Sequence, residues 1–179
     1  MNHARFQISP DFGLSPGELR VVVVGPEWAR RFADERSRIA EALGSMALDI
    51  QHIGSTAVPG ITAKPILDIA VAIRDFESGH ASVPSLVALG YLYRGENGIP
   101  RRHFFVRAGS HHIHVFEQDG SDWKRHLRFR DRLLASPELA ARYSQIKLDA
   151  AKQAAGDLDR YQALKSSFIE EFQTIGPTA

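Results

Sequence analysis

At 179 residues with 44% hydrophobic side chains, the chain is long enough to bury about two-thirds of its unfolded surface, so one domain is the economical reading. Its 22 Lys and Arg against 21 Asp and Glu leave a net charge of +1, which supplies no long-range attraction to nucleic acid or to an anionic membrane. With no cysteine, disulfides, thiolate nucleophiles and Cys-ligated zinc are excluded, and any metal must sit on His and carboxylate.

The opening MNHARFQISPDFG lacks the apolar core of a signal peptide, and no run approaches the roughly 18 apolar residues of a membrane span. A soluble, cytoplasmic protein is therefore expected. Residues 1–19 mix Pro, Gly and charge and read as an irregular arm ahead of a single domain over 20–175. Residues 19–24 supply a short buried strand, stopped by Gly25-Pro26. A helix then follows, because Pro suits a first turn and Trp28, Phe32, Ile39 and Leu43 recur at helical spacing up to Gly44. Residues 47–53 read as a strand, 54–65 as a loop and 66–73 as an aliphatic strand interrupted by Asp68. A helix over 82–89 leads through Gly90 to Tyr91-Leu92-Tyr93 and a flexible loop at 95–100. Strands at 102–107 and 111–117 flank the three-residue hairpin signal Ala108-Gly109-Ser110.

Beyond Gly120, apolar positions Trp123, Leu127 and Leu134, then Leu139, Tyr143 and Ile146, then Tyr161, Leu164, Phe168 and Phe172 mark three amphipathic helices. Mixed strands followed by helices predict an α+β fold, a mixed β-sheet flanked by helices with a helical C-terminal layer.

Alternation along 67–73 places Leu67, Ile69, Val71 and Ile73 on one face and Asp68, Ala70 and Ala72 on the other. A mid-sheet carboxylate must be paired, hydrogen-bonded or metal-bound, and a structural Asp held by a neighbouring Arg or amide fits equally. In the later strand, His112, His114 and Phe116 share a face, their imidazoles about 7 Å apart along it, a spacing that suits a metal or an anion. Symmetric pairing across the hairpin adds Arg102 and Phe104 to that face. The run Gly54-Ser55-Thr56-Ala57-Val58-Pro59-Gly60 has the glycines, hydroxyls and free amides of an anion nest, with Lys64 adding charge, although an ordinary connector has the same composition. On the helix after Gly120, His126 and Arg130 face inward, either paired, with Asp131 for instance, or aimed into a pocket. The cations are mostly guanidinium, 17 Arg against 5 Lys, which suits phosphate binding and ordinary surface use alike.

The block His52-Ile53-Gly54-Ser55-Thr56-Ala57-Val58-Pro59-Gly60, followed by Ala63-Lys64-Pro65-Ile66-Leu67-Asp68-Ile69, resembles the signature of the GrpB family. Gly25-Pro26-Glu27-Trp28, residues 95–100, His112 to Phe116 and the Trp123, His126, Leu127, Phe129, Arg130, Asp131 helix agree in order, so the resemblance covers roughly residues 20 to 172. That family resembles the nucleotidyltransferase superfamily, in which a Gly-Ser turn precedes an Asp-x-Asp/Glu strand whose carboxylates hold two divalent ions around a nucleoside triphosphate. The resemblance implies phosphate or nucleotide contacts from Gly54, Ser55, Thr56, Lys64, Arg102, His126 and Arg130. It implies catalysis or metal binding at Asp68, His112 and His114, with His52 as a further ligand. The sequence departs from the pattern at Ala70, where a two-metal enzyme carries Asp or Glu. A set of one Asp and two His favours manganese, zinc or iron over an all-oxygen magnesium site. Three functions follow as expectations: a nucleotidyltransferase acting on a small acceptor, a noncatalytic module binding a nucleotide or phosphometabolite, and a metal-dependent hydrolase.

Overall fold

The computed structural model describes residues 12–15 and 17–174, with the side chains of 158, 167, 168 and 170–174 excepted. Most of the expected irregular arm, and the side chains of Phe168 and Phe172, lie outside those residues. The last part of the arm is built into the domain. Phe12 is buried against Trp28 and His111, and Gly13 N–H donates to the Pro65 carbonyl at 2.8 Å.

Pro26, with φ of −67°, sets the entry to helix α1 (Glu27–Leu43), and Gly44 closes it at φ of +53°. Trp28, Glu35, Ile39 and Leu43 form its buried face. The strand expected at 19–24 shrinks to β1 (Val22–Val23), paired antiparallel with β3 (Thr62–Ala63) in a two-stranded ribbon outside the main sheet. Having no strand on its other edge, it leaves Val23 exposed, so the buried reading is corrected. The segment expected as a loop at 54–65 thus holds β3, and also a 3₁₀ turn over Ser55–Ala57.

The main sheet has the order β2-β4-β7-β6-β5, formed by β2 (Asp49–Ile53), β4 (Leu67–Ile73), β5 (Leu92–Tyr93), β6 (His103–Arg107) and β7 (His111–Glu117). Only β4 and β7, at its centre, run parallel. Their crossover carries α2 (Phe76–Gly79) and α3 (Ser82–Ala88). The short α2 was not expected from the sequence; its signal is Asp75, whose Oδ1 accepts from Ser78 N–H at 2.8 Å as an N-cap.

Alternation divides the sheet as its sequence predicts. Leu67, Ile69, Val71, Ile73, Ile113 and Val115 join the main core with α1 and α3. Ala70, Ala72 and Phe116 instead pack on Trp123 and Ile53. The small alanines keep the second face low, and the C-terminal layer covers it: α4 (Ser121–Ala135), α5 (Pro137–Ala154) and α6 (Leu158–Thr174). Ser136 caps α5, accepting from Leu139 N–H, with Pro137 in the first turn. Leu134, expected inward, is half exposed because Leu133, one 100° step away, takes the core position. No helix of the described residues is long and apolar enough to cross a membrane.

On the α1 side, one charged network is enclosed. Glu35 accepts from Arg107 at 3.0 and 2.9 Å, from Tyr91 hydroxyl at 2.8 Å and from Arg38 at 2.9 Å. Arg107 also donates to His111 Nε2 at 2.8 Å, which leaves the His111 proton on Nδ1, facing Ser110 Oγ at 2.8 Å. Ser110 then donates to the Arg107 carbonyl at 2.9 Å. Glu35 is satisfied by donors on all sides and His111 by both its ring nitrogens, the condition under which a buried ionic group is tolerated. It pins the β6–β7 hairpin to α1.

Candidate active site

The parallel register puts Asp68 of β4 directly beside His112 of β7. His112 Nδ1 lies 3.1 Å and His114 Nε2 3.6 Å from Asp68 Oδ1. Burial alone would raise the Asp68 carboxyl, but the hydrogen bond from His112 and the nearby His114 imidazole outweigh it and hold the group far below its ordinary range. The antiparallel partner β2 ends opposite Asp68 at Ile53, so the chain turns at Gly54 immediately over the carboxylate. Gly54 adopts φ of +68°, and a Cβ there would stand 2.5 Å from Asp68 Oδ2. Glycine is required by both backbone and space.

Around Asp68 lies a cavity of about 270 Å³ between the sheet and the C-terminal helices. Gly54, Ser55 and His114 line its sheet side, and Arg125, His126, Phe129, Tyr143, Lys165 and Ile169 its helical side.

Two imidazoles have their protons fixed by neighbours that can act in only one sense. Arg102 Nη1 donates to His114 Nδ1 at 3.3 Å, so His114 carries its proton on Nε2, toward Asp68. His126 Nδ1 donates to the Asp122 carbonyl at 2.7 Å, leaving Nε2 as a lone pair without a partner among the described residues. Burial, and then His114, push His126 down to about 4. It is a neutral acceptor.

Of the residues singled out from sequence, Gly54, Ser55, Asp68, His114 and His126 line the cavity, and His112 adjoins it through Asp68. Five others lie elsewhere. His52 points to the opposite face of β2, stacking on Phe32 with its Nε2 3.1 Å from Thr56 Oγ1, so it is corrected as a metal ligand. Thr56 is buried and donates to the Ile66 carbonyl at 3.2 Å, which leaves it no free hydroxyl for a phosphate. Arg130 spends its donors on Gln51 Oε1 (2.8 Å), the His52 carbonyl (3.0 Å) and Asp131 (2.7 Å), clamping α4 to β2. Arg102 is buried, donating to the Glu96 and Asn97 carbonyls as well as to His114, so it holds the 95–100 loop. Lys64 sits behind the cavity with its Nζ 5.8 Å from the Tyr161 ring centre. Arg125, Tyr143 and Lys165 were missed. They lie on amphipathic helices whose pattern separates core from surface but does not say which turn overlooks a neighbouring loop.

Three imidazoles, His111 buried and His52 and His126 half-buried, set the acid stability of the fold. His52 and His126 are pushed down to about 4 and His111 to about 3, in each case mainly by burial. Their folded values lie below the ordinary unfolded value near 6.5, so the unfolded chain binds more protons in between. Stability is therefore expected to hold above pH 6.5 and to fall as pH drops toward 4, by on the order of a few kcal/mol. Urea unfolding at pH 7.5 and 5 checks this; equal midpoints would contradict it.

The chain matches the family model described as GrpB protein over residues 18–174. It is 34% identical over 156 residues to the UPF0157 protein YqkA of Bacillus subtilis, spanning 86% of this chain but 46% of that one. Against the glutamate-rich protein GrpB of Alkalihalophilus pseudofirmus the identity is 31% over 167 residues, covering 89% and 96%. The crystal structure of the conserved protein GrpB from Enterococcus faecalis superposes with a TM-score of 0.80 at 30% identity, covering 86% of this chain and 94% of that one.

Proposed function

The chain belongs to the GrpB family, and from that premise we propose that the Asp68 pocket is a nucleotidyltransferase-like site. It binds a nucleoside triphosphate and a divalent ion and acts on a small-molecule acceptor. The observation that carries this reading is the convergence of Gly54, Ser55, Asp68 and His114 on one cavity, with His112 against Asp68. At about 270 Å³, that cavity suits the phosphates and the reacting group, with sugar and base at its mouth.

Asp68, His112 and His114 would hold the ion, their ligand atoms lying within 4.8 Å of one another. One carboxylate with two imidazoles favours Mn²⁺ or Zn²⁺ over Mg²⁺. When bound, the ion would draw charge from the α-phosphate. His114 can offer Nε2 only if its proton shifts to Nδ1, which requires Arg102 to release that nitrogen.

In the transfer itself, an acceptor oxygen or nitrogen forms a bond to the α-phosphorus while the bridging P–O bond breaks and pyrophosphate leaves. His126 Nε2 is placed to take the acceptor's proton, which replaces the phosphate contact expected of it: a neutral lone pair does not attract an oxyanion. The cationic work expected of Arg102 and Arg130 falls to Arg125 and Lys165.

Calorimetric titration with ATP, GTP, CTP and UTP, each with Mn²⁺, Zn²⁺ and Mg²⁺, is expected to show binding of at least one ion–triphosphate pair. Asp68→Asn should weaken it tenfold or more, in line with the roughly 10–100-fold cost of losing support at a metal site. Silence with every combination would sink the reading. Ala70 favours a second one, because the position of the absent carboxylate is fully buried and closed by packing: a binding module without turnover. Release of pyrophosphate in the presence of an acceptor separates the two.

A further inference from the structure

At the helical wall of the cavity, three ammonium groups gather with Asp68 as the carboxylate that acts on two of them, Lys64 and Lys165. Lys165 lines the cavity from α6. Its Nζ lies 5.6 Å and that of Lys64 5.8 Å from the ring centre of the same Tyr161. Lys147, one turn beyond Tyr143 on α5, is 1% exposed, and among the described residues its Nζ has no hydrogen-bond partner, only the Tyr143 ring 4.3 Å away. None of the three makes an ion pair among the described residues. Burial pushes Lys147 down to about 7 and Lys165 to about 8, each further lowered by a neighbouring lysine. A fold gains nothing in stability from enclosing a bare ammonium.

We infer that Lys165 at the cavity lining, reinforced by the positive field of Lys147 and Lys64 behind it, forms an oxyanion subsite that takes the terminal phosphates of a polyphosphate ligand at the Ser55 end of the cavity. The subsite rests on the triphosphate reading of the pocket and gives that ligand a direction. Its multiply charged end lies toward α5 and α6, and its reacting phosphorus lies toward Asp68. Tyr143 joins the two, since its hydroxyl bonds the Ser55 side chain while its ring carries Lys147. The count of charges selects the ligand class: a monocarboxylate would leave two ammonium groups uncompensated, whereas a triphosphate tail matches all three.

Inorganic tripolyphosphate, without added divalent ion, is the probe. Wild-type protein is expected to bind it, and Lys147→Met and Lys165→Met each to weaken binding about tenfold or more. Lys124→Met, a loss of charge on the exposed face of α4, should leave affinity within twofold. Thermal unfolding adds a readout of opposite sign: Lys147→Met should melt higher than wild type without ligand and gain less from tripolyphosphate. A lysine that merely supports the fold would lower the melting point when removed. No binding by wild type, or affinities within twofold in both lysine variants, overturns the subsite. If ion-dependent ATP binding persists in those variants but is lost in Asp68→Asn, the subsite fails and the triphosphate reading stands. If tripolyphosphate binds through the lysines and no nucleoside triphosphate does, the reverse holds.

Discussion

Glu35→Ala is expected to destabilise the protein by about 3–5 kcal/mol, the range for removing one partner of a buried ion pair. Glu35 is 3% exposed and accepts four hydrogen bonds, two of them from Arg107. Without it, the guanidinium of Arg107 keeps only His111 Nε2 and the Leu89 carbonyl, and the Tyr91 hydroxyl loses its acceptor. The cost is mostly uncompensated charge rather than lost attraction, which the double variant Glu35→Met, Arg107→Met isolates. Removing both charges should recover part of the loss. Chemical denaturation of Glu35→Met, Arg107→Met and the double variant measures the coupling. A single variant within 1 kcal/mol of wild type would show that water reaches Arg107.

Gly54→Ala is expected to abolish the site while leaving the fold assembled. The backbone at Gly54, φ of +68° and ψ of −171°, costs a non-glycine residue about 1–3 kcal/mol. The added carbon must also displace the Asp68 carboxylate, which cannot retreat because its own strand is hydrogen-bonded on both sides. Moving Asp68 breaks its contact with His112, and the depressed pKa of the carboxyl rises toward its ordinary range. The measurement is the Asp68 carboxyl titration by NMR, together with triphosphate affinity. An unchanged titration and a wild-type affinity would mean that the turn relaxes instead.

Much of this fold was legible because its strands are patterned on two faces. Leu67, Ile69, Val71 and Ile73 announce one buried layer, and Asp68, Ala70 and Ala72 a face kept low. The hairpin signal at 108–110 fixed the register that places Arg102 and Phe104 with His112 and His114. What the pattern could not supply was which donors are already used. Arg102 reads as a free cation in a sequence and Arg130 as one that either pairs, as it does with Asp131, or enters a pocket, but backbone carbonyls at 52, 96 and 97 also take their N–H groups. His52 illustrates a different limit. Its neighbours in the signature lie at the cavity, yet strand alternation turns its ring to the other side of the sheet, against Phe32. Lys147 and Lys165 carried no signal at all, because an amphipathic period marks α5 and α6 as packed helices without showing that an ammonium is enclosed.

The parallel pairing of β4 with β7 has a kinetic meaning. Asp68 and His112 are 44 residues apart, and the intervening chain must close a whole crossover before they meet. Loop closure on that scale precedes any reward from the contact, and non-local parallel pairing is a slow step in folding. The hairpin carrying His112 and His114 forms locally, whereas the carboxylate arrives only with the central pair. The imidazole resonance of His112 therefore reports, during refolding, the moment at which the two halves of the sheet become one.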